Sequence, residues 1–426
     1  MENPFELLFD KCPKEESIVP CKCRSMSHEI ICGGGDISSS NTLRYIFRDA
    51  SPNEHQDDDN VRNVVVKNNH NSQGPIETKR NYYHYSHLIL QDTPIETIAN
   101  GTFEYFTFLV ITIRQHYYLT KIELNAFVPS NSVTTLLKFD SNHKLGSDGE
   151  SIESLFNVIR TFTNLETLLI HRCALTHIPA NAFGGLQVSL RKLRRISLIG
   201  NRIQTIHSHA FVGHLPSLRL LILNNNELDT IEPNAIKLDT DHCTPNFNYE
   251  KIYYFIDLSN NRLQSHSIAD SNSILTNCST ELNLSNNSIH YLPESIYRPM
   301  FSKFMKLFLY GNDLDCSHCE MGWMLRGRYC SMFNSTLTYQ SLIESSNCNQ
   351  TILSFDTFRE KCSSNNKMVS SEKNPMEPMV ESNHDLLHCP MDTNQTNHSS
   401  TTTKFISDSY FIYLFLLFFF HLFTFF

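Results

Sequence analysis

A chain of 426 residues, 40% of them apolar, can build a large core, and a net charge of −9 with no basic run excludes the clustered Lys and Arg that a nucleic-acid backbone attracts. The 13 cysteines, most of them grouped within residues 12–32 and 316–362, point to an oxidising compartment. No nucleophile, base and orienting group share a recognisable motif, no phosphate-binding glycine loop occurs and the 20 histidines are scattered, so no catalytic residue, metal or cofactor is expected.

Residues 1–11 contain Phe5, Leu7, Leu8 and Phe9 but no basic start before a long apolar run, so no ordinary signal peptide is visible and the true start is expected to lie upstream. Residues 12–45 open on C-P-K-E-E-S-I-V-P-C-K-C and reach an I-I-C strand ending at Cys32. A segment this short can cover an apolar end only when cross-linked, and four cysteines allow three connectivities. A zinc set of Cys21, Cys23, Cys32 and His28 stays open. Residues 46–84 form a polar insertion whose Asp57, Asp58 and Asp59 read as a solvated charge run.

Residues 85–315 repeat one unit. Its clearest copy, residues 193–211, reads L-R-R-I-S-L-I-G-N-R-I-Q-T-I-H-S-H-A-F and fits L-x-x-L-x-L-x-x-N-x-L. Ile196 and Leu198 flank polar Ser197, the alternation of a half-buried strand, and Asn201 carries an amide able to pair backbone groups where the chain turns inward. The first strand residues of nine copies are Leu88, Ile111, Leu137, Leu168, Ile196, Leu221, Ile256, Leu282 and Leu307, with longer steps after Leu137 and Leu221. The copies at Ile111 and Leu137 need one extra residue before Leu119 and Leu145, and Cys173 takes the Asn position of the copy at Leu168, where a small thiol tolerates burial.

These units resemble the extracellular leucine-rich-repeat superfamily over roughly residues 12–362. The resemblance implies an α/β solenoid with a curved parallel sheet on its concave face, short helical or irregular segments on its convex face, and cysteine caps at both ends. It implies pairing of Cys12 with Cys23 and Cys21 with Cys32. For the stretch D-L-D-C-S-H-C-E-M-G-W within residues 316–362, it implies Cys316 with Cys348 and Cys319 with Cys362, with Trp323 against the final repeat. Cys316 and Cys319 are two residues apart where the family usually has one, which weakens that carry-over. Cys330 and Cys389 have no assigned partner, and Cys330 leaves an interchain link open.

Strand residues alternating with the buried ones project from the concave face. The expected ligand-binding set is Leu169, His171, Arg195, Ile199, Leu220, Ile222, Asn224, Phe255, Asp257, Glu281, Asn283, Phe308 and Tyr310. Its apolar and aromatic members stand where solvent favours polar groups, which points to a protein ligand or a homodimer. Cys243 and Cys278, in adjacent inter-repeat stretches, are placed to bridge and pin the longest insertion, while Cys173 is expected buried and free.

Seven glycosylation sequons occur, at Asn100, Asn277, Asn286, Asn334, Asn349, Asn394 and Asn397. Residues 363–409 lose the repeat and read as a stalk. Residues 410–426, Y-F-I-Y-L-F-L-L-F-F-F-H-L-F-T-F-F, follow small residues and a polar spacer in the manner of a glycosylphosphatidylinositol signal with Ser400 as acceptor; a short membrane span is the alternative. The layout is similar to lipid-anchored chaoptin-like and Nogo-receptor-like proteins, which implies a non-catalytic plasma-membrane adhesion protein or co-receptor facing outward. The P-C-K-C cap also resembles leucine-rich subunits of extracellular enzyme complexes, so a scaffold role is the other reading.

Overall fold

The computed structural model describes residues 9–49, 82–184, 190–212, 215–238, 253–276, 279–302 and 305–315, with residues 318, 320, 321 and 323. Eleven strands lie side by side in chain order in one sheet. They are β1 (Lys22–Arg24), β2 (Glu29–Gly33), β3 (Tyr83–Gln91), β4 (Phe106–Arg114), β5 (Leu136–Asp140), β6 (Thr167–His171), β7 (Arg195–Ser197), β8 (Leu220–Ile222), β9 (Tyr253–Asp257), β10 (Ser279–Asn283) and β11 (Met305–Phe308). The first pair is antiparallel and every later pair is parallel. Strand order equal to chain order is what a solenoid requires, since each unit can bury its apolar edge only against its neighbours.

The register comes from one row of core side chains. Ile30, Leu88, Ile111, Leu137, Leu168, Ile196, Leu221, Ile256, Leu282 and Leu307 are directly opposed from strand to strand across the sheet. None of them is more than 1% exposed, and neither are the residues two places on, from Leu90 to Leu309. A one-residue slip would turn both rows out to solvent, at about 1.5–3 kcal/mol per side chain, so burial alone pins the register.

One to three residues past the end of each strand from β3 on, the backbone turns left-handed: Asp92, Gln115, Ser141, Arg172, Gly200, Asn225, Asn260, Asn286 and Gly311 all have φ between 48° and 70°. The turn leaves strand-end carbonyls and inner N–H groups without sheet partners. The buried Asn supplies them. Asn201, Asn226, Asn261, Asn287 and Asn312 each donate through Nδ2 to a carbonyl of their own repeat and one of the preceding repeat, at 2.8–3.1 Å. Each Oδ1 accepts an N–H of the preceding repeat at 2.9–3.2 Å. Cys173 is buried and free, with its thiol pushed up to about 12 by desolvation; Asn142 Nδ2 lies 3.8 Å from its sulfur.

The sequence reading assigned no ladder residue to the repeat at Ile111, where the structure places His116. The ring is fully buried, with Nε2 3.1 Å from Leu90 O and Nδ1 3.0 Å from Thr93 Oγ1. Burial lowers its pKa, and with Nδ1 also 3.1 Å from Thr93 O the neutral ring donates to one of two carbonyls, Leu90 O or Thr93 O, in the place of a ladder amide.

On the convex side, two-residue strands such as His177–Ile178, Thr205–Ile206 and Thr230–Ile231 form a second, narrow parallel ladder. Behind it Phe103 stacks on Phe127 and Phe183 on Phe211, each pair with centroids 5.0 Å apart. Helix α1 (Ser40–Asp49) follows β2, and the longer step after Leu137 holds helix α2 (Gly149–Ile159), capped by Asp148, whose side chain accepts Ser151 N–H at 2.9 Å. Its buried Ile152, Leu155, Phe156 and Ile159 follow helical spacing, and Phe156 meets Phe183 edge-on at 5.4 Å, so the insertion is absorbed into the aromatic row. Gly146 precedes this helix with φ +85°, and a Cβ there would lie 2.5 Å from Leu175 Cδ2. Gly146→Ala is therefore expected to lose about 2–4 kcal/mol in urea unfolding, from left-handed strain plus overpacking.

At the N-terminal end Cys12–Cys23 and Cys21–Cys32 are disulfide-bonded, in the pairing the resemblance implied, which removes the zinc reading. The His28 ring instead faces Phe9, with Nδ1 3.1 Å from Asp10 O. Near the other end Trp323 is 2% exposed and its indole donates to Leu292 O at 2.9 Å. Cys243, Cys278, Cys316, Cys319, Cys330, Cys348, Cys362 and Cys389 lie outside the described residues, as do Asn277, Asn334, Asn349, Asn394, Asn397, Ser400 and residues 50–81 and 324–426.

Candidate ligand-binding face

The alternation that buries one set of strand residues turns the other set onto the open face of the sheet. Most of the expected ligand-binding residues are half-buried there; Ile222 and Asp257 are buried, at 4% and 8% exposure. Ile222 is shielded on both flanks by Ser197 and Asp257 in register on the adjacent strands. The Asp257 carboxylate turns to the end of its own strand and accepts Ser259 N–H at 3.0 Å and Ser259 O–H at 2.7 Å. Burial raises its pKa against those two donors.

The apolar members do not form one patch. Leu220 and Phe255 are opposed on β8 and β9, beside Ile222. Phe308 and Tyr310 stand two strands away, and the polar Glu281, Asn283 and Ser285 of β10 and its end lie between the groups. Asn283 repeats the Asp257 arrangement, its Oδ1 accepting Ser285 N–H at 3.1 Å.

The N-terminal half of the face was not assigned from the sequence, and it carries most of the charge. His87 Nε2 lies 2.8 Å from Thr112 Oγ1, and Arg114 donates twice to Gln91 Oε1, at 2.9 and 2.6 Å. Asp140 is held by Arg172 at 2.7 Å, by Ser141 O–H at 3.0 Å and by Lys138 at 3.6 Å. The alternation counted from Leu88, Ile111 and Leu137 is the signal that places these residues.

His171 Nε2 lies 2.8 Å from Ser197 Oγ, with Asp140 in register on the neighbouring strand. The trio is not assembled for nucleophilic attack: Ser197 has no exposed surface and the carboxylate is spent on Arg172, Ser141 and Lys138. Among the described residues no group of three or more His, Cys, Asp or Glu is arranged to hold a metal ion, and no helix is long and apolar enough to cross a membrane.

Burial pushes the His171 imidazole down to about 4, with the Asp140 charge opposing, and burial likewise lowers His87. The fold thus holds neutral imidazoles that the unfolded chain protonates at about 6.5. Their contribution is complete above that value and is lost as pH falls towards 4, up to about 3 kcal/mol for His171. His171→Asn is expected to flatten the fall in thermal midpoint between pH 7 and pH 4.5, read by circular dichroism.

The sequence profile of the family described as Leucine rich repeat matches residues 191–237, which hold β7 and β8. No curated protein sequence matches the chain. Many solved structures are similar to it, two of which follow. One, titled as a TLR13–ssRNA13 complex, shares 20% identity over 53% of this chain at a TM-score of 0.37; the match spans only 28% of that chain. The other, an octameric complex of Latrophilin 3, Unc5D and FLRT2 (LRR), shares 16% identity over 60% of this chain and 78% of that one at a TM-score of 0.33. The profile match at residues 191–237, the single register of the strands and the buried asparagine ladder show that the described residues fold as a leucine-rich-repeat solenoid with a disulfide-bonded N-terminal end.

Proposed function

We propose that the chain is an outward-facing cell-surface glycoprotein that binds a protein ligand on its concave face, in adhesion, recognition or co-receptor signalling, with no catalysis of its own. The observation that carries this reading is the face itself: a continuous parallel sheet whose open side offers half-buried Leu220, Phe255, Phe308 and Tyr310 among polar neighbours. Apolar anchors ringed by polar groups are the composition of a protein interface. The two disulfides favour an oxidising compartment, and sequon Asn100 is exposed on the convex side. A lipid anchor at Ser400, with residues 410–426 as its signal, belongs to the same proposal and is tested by release from expressing cells with phosphatidylinositol-specific phospholipase C.

The binding test is a glycan wedge. Leu220→Asn with Ile222→Thr writes a sequon onto the concave face, and Arg202→Asn with Gln204→Thr writes one onto the exposed turn beside it. Tetramers of the secreted chain are expected to stain ligand-bearing animal cells, with staining lost for the glycosylated concave variant and kept for the turn variant. Staining that survives the concave glycan would overturn the reading. Co-purification with a soluble enzyme in place of cell staining would favour the scaffold role.

A further inference from the structure

Charge on the concave face is not spread evenly. Strands β4 to β7, with the left-handed residue after each, carry Arg114, Lys138, Arg172 and Arg195 against the single carboxylate of Asp140. Strands β2 and β3 with their turns carry Glu29 and Asp92, and β8 to β11 carry Asp257, Glu281 and Lys306. A cationic island therefore sits in the middle of the sheet of a chain whose net charge is −9. Half-buried Val110, Leu136 and Leu169 lie among its cations.

A second, independent feature borders the island. The repeats at Ile111 and Leu137 each have one residue more than the others between the ladder position, His116 or Asn142, and the next core leucine. The lengthened turns push Tyr117 and Tyr118 out to 59% and 45% exposure, in contact with each other at 5.0 Å between ring centroids. His143 and Lys144 of the next turn brace them: the His143 ring is 5.7 Å from Tyr117, and Lys144 Nζ is 5.3 Å from the Tyr118 centroid. Two exposed tyrosines fixed by neighbours lose little side-chain entropy on binding, and each joins an apolar ring to a hydroxyl that can donate to a carboxylate.

Resting on the concave-face reading, we propose that this island and its tyrosine rim bind an acidic segment of the partner protein, one whose Asp and Glu side chains alternate with apolar ones. The cations attract the carboxylates, and Val110, Leu136, Leu169 and the tyrosine rings take the apolar side chains. A sulfated glycan offers the charge without the apolar half, so a polypeptide fits the mixture better. Steering follows too, because an anionic partner repelled by the rest of the surface is drawn to this one place.

The test is selection of a random twelve-residue peptide display library on the immobilised full chain, secreted from animal cells. Selected peptides are expected to be enriched in Asp and Glu with interspersed apolar residues. A synthetic copy of the dominant peptide should lose affinity at least tenfold on Arg114→Gln/Arg172→Gln and on Tyr117→Ala/Tyr118→Ala. The tyrosine pair is exposed, so its thermal midpoint should match the wild type, which separates lost binding from lost folding. Neutral or basic peptides blocked by the Leu220→Asn/Ile222→Thr glycan would overturn the acidic-partner inference and leave the concave-face reading standing. Peptides blocked neither by that glycan nor by one at Lys138→Asn/Asp140→Thr would sink both. Tight retention on heparin, lost with the arginine variant and without acidic enrichment among the peptides, would overturn it in favour of a sulfated glycan.

Discussion

Asn226→Ala is expected to cost about 3–5 kcal/mol of stability, more than most single substitutions, although it removes a side chain smaller than leucine. The reason is what it leaves behind. Ile203 N–H loses its acceptor at 3.2 Å, and Leu198 O and Leu223 O each lose one of two donors, keeping Asn201 Nδ2 at 2.8 Å and Asn261 Nδ2 at 3.1 Å, all in a site with 9% exposure. The orphaned N–H costs about 1–3 kcal/mol and each hydrogen bond lost at a carbonyl about 0.5–1.5 kcal/mol, moderated where water enters the space the amide leaves. The neighbouring Asn225 is the control. It is exposed with φ 56°, so Asn225→Gly keeps the turn and should change stability by well under about 1 kcal/mol. Because repeats couple mainly to their neighbours, hydrogen exchange should speed up in β7 to β9 before β2 to β4. Uniform acceleration, or equal effects of the two variants, would contradict the ladder account.

The same ladder explains why the repeat was legible in the sequence. At Ile196, Leu221, Ile256, Leu282 and Leu307 the core leucines and the amide are both indispensable, so pattern and structure coincide position by position. The left-handed row is equally readable where Gly200, Asn225, Asn260, Asn286 and Gly311 occupy it. It is hidden at Gln115, Ser141 and Arg172, which adopt the conformation under tertiary constraint rather than by preference. His116 was overlooked because the ladder needs a donor and an acceptor in the right place, not an asparagine as such. Helix α2 was visible only as a long step, though Asp148 before an amphipathic stretch is a helix start in its own right.

The open face of the sheet was legible by strand but not by register. Counting alternate residues along each strand finds most of what leaves the core, with Ile222 and Asp257 buried instead, yet only the pairing shows that β10 separates Leu220 and Phe255 from Phe308 and Tyr310. The cationic island escaped for a related reason. Two of its members, Arg114 and Lys138, sit in the repeats whose lengthened turns obscure the template, and the turn after Arg114 raises Tyr117 and Tyr118. Departure from the repeat and the proposed acidic-segment surface thus coincide, as expected where local consistency gives way to a task other than packing.

The largest effect at the ends of the solenoid should come from Cys21→Ala/Cys32→Ala. Closing an 11-residue separation removes enough freedom from the unfolded chain to contribute about 3 kcal/mol, and Cys12–Cys23 closes the same separation. The two bridges nevertheless differ in surroundings. Cys21 and Cys32 are 2% and 0% exposed, whereas Cys12 and Cys23 are only half-buried. Losing the buried pair also empties two sulfur sites under Ile30, raising the total to about 4–5 kcal/mol. The consequence reaches past the cap, because β2 is the strand that covers β3: Ile30 opposes Leu88 and Cys32 opposes Leu90. With β2 frayed, the apolar edge of the first repeat meets water, and among the described residues no other strand stands ready to replace the cover. Thermal unfolding of the double variant should show a separate early transition, with fast hydrogen exchange confined to β2 and β3. Cys12→Ala/Cys23→Ala should instead loosen residues 9–12, where Asp10 N–H bonds His84 O at 2.9 Å, and leave the pairing of β2 with β3 protected. A single late transition in both variants would mean that the sheet holds its end without either bridge.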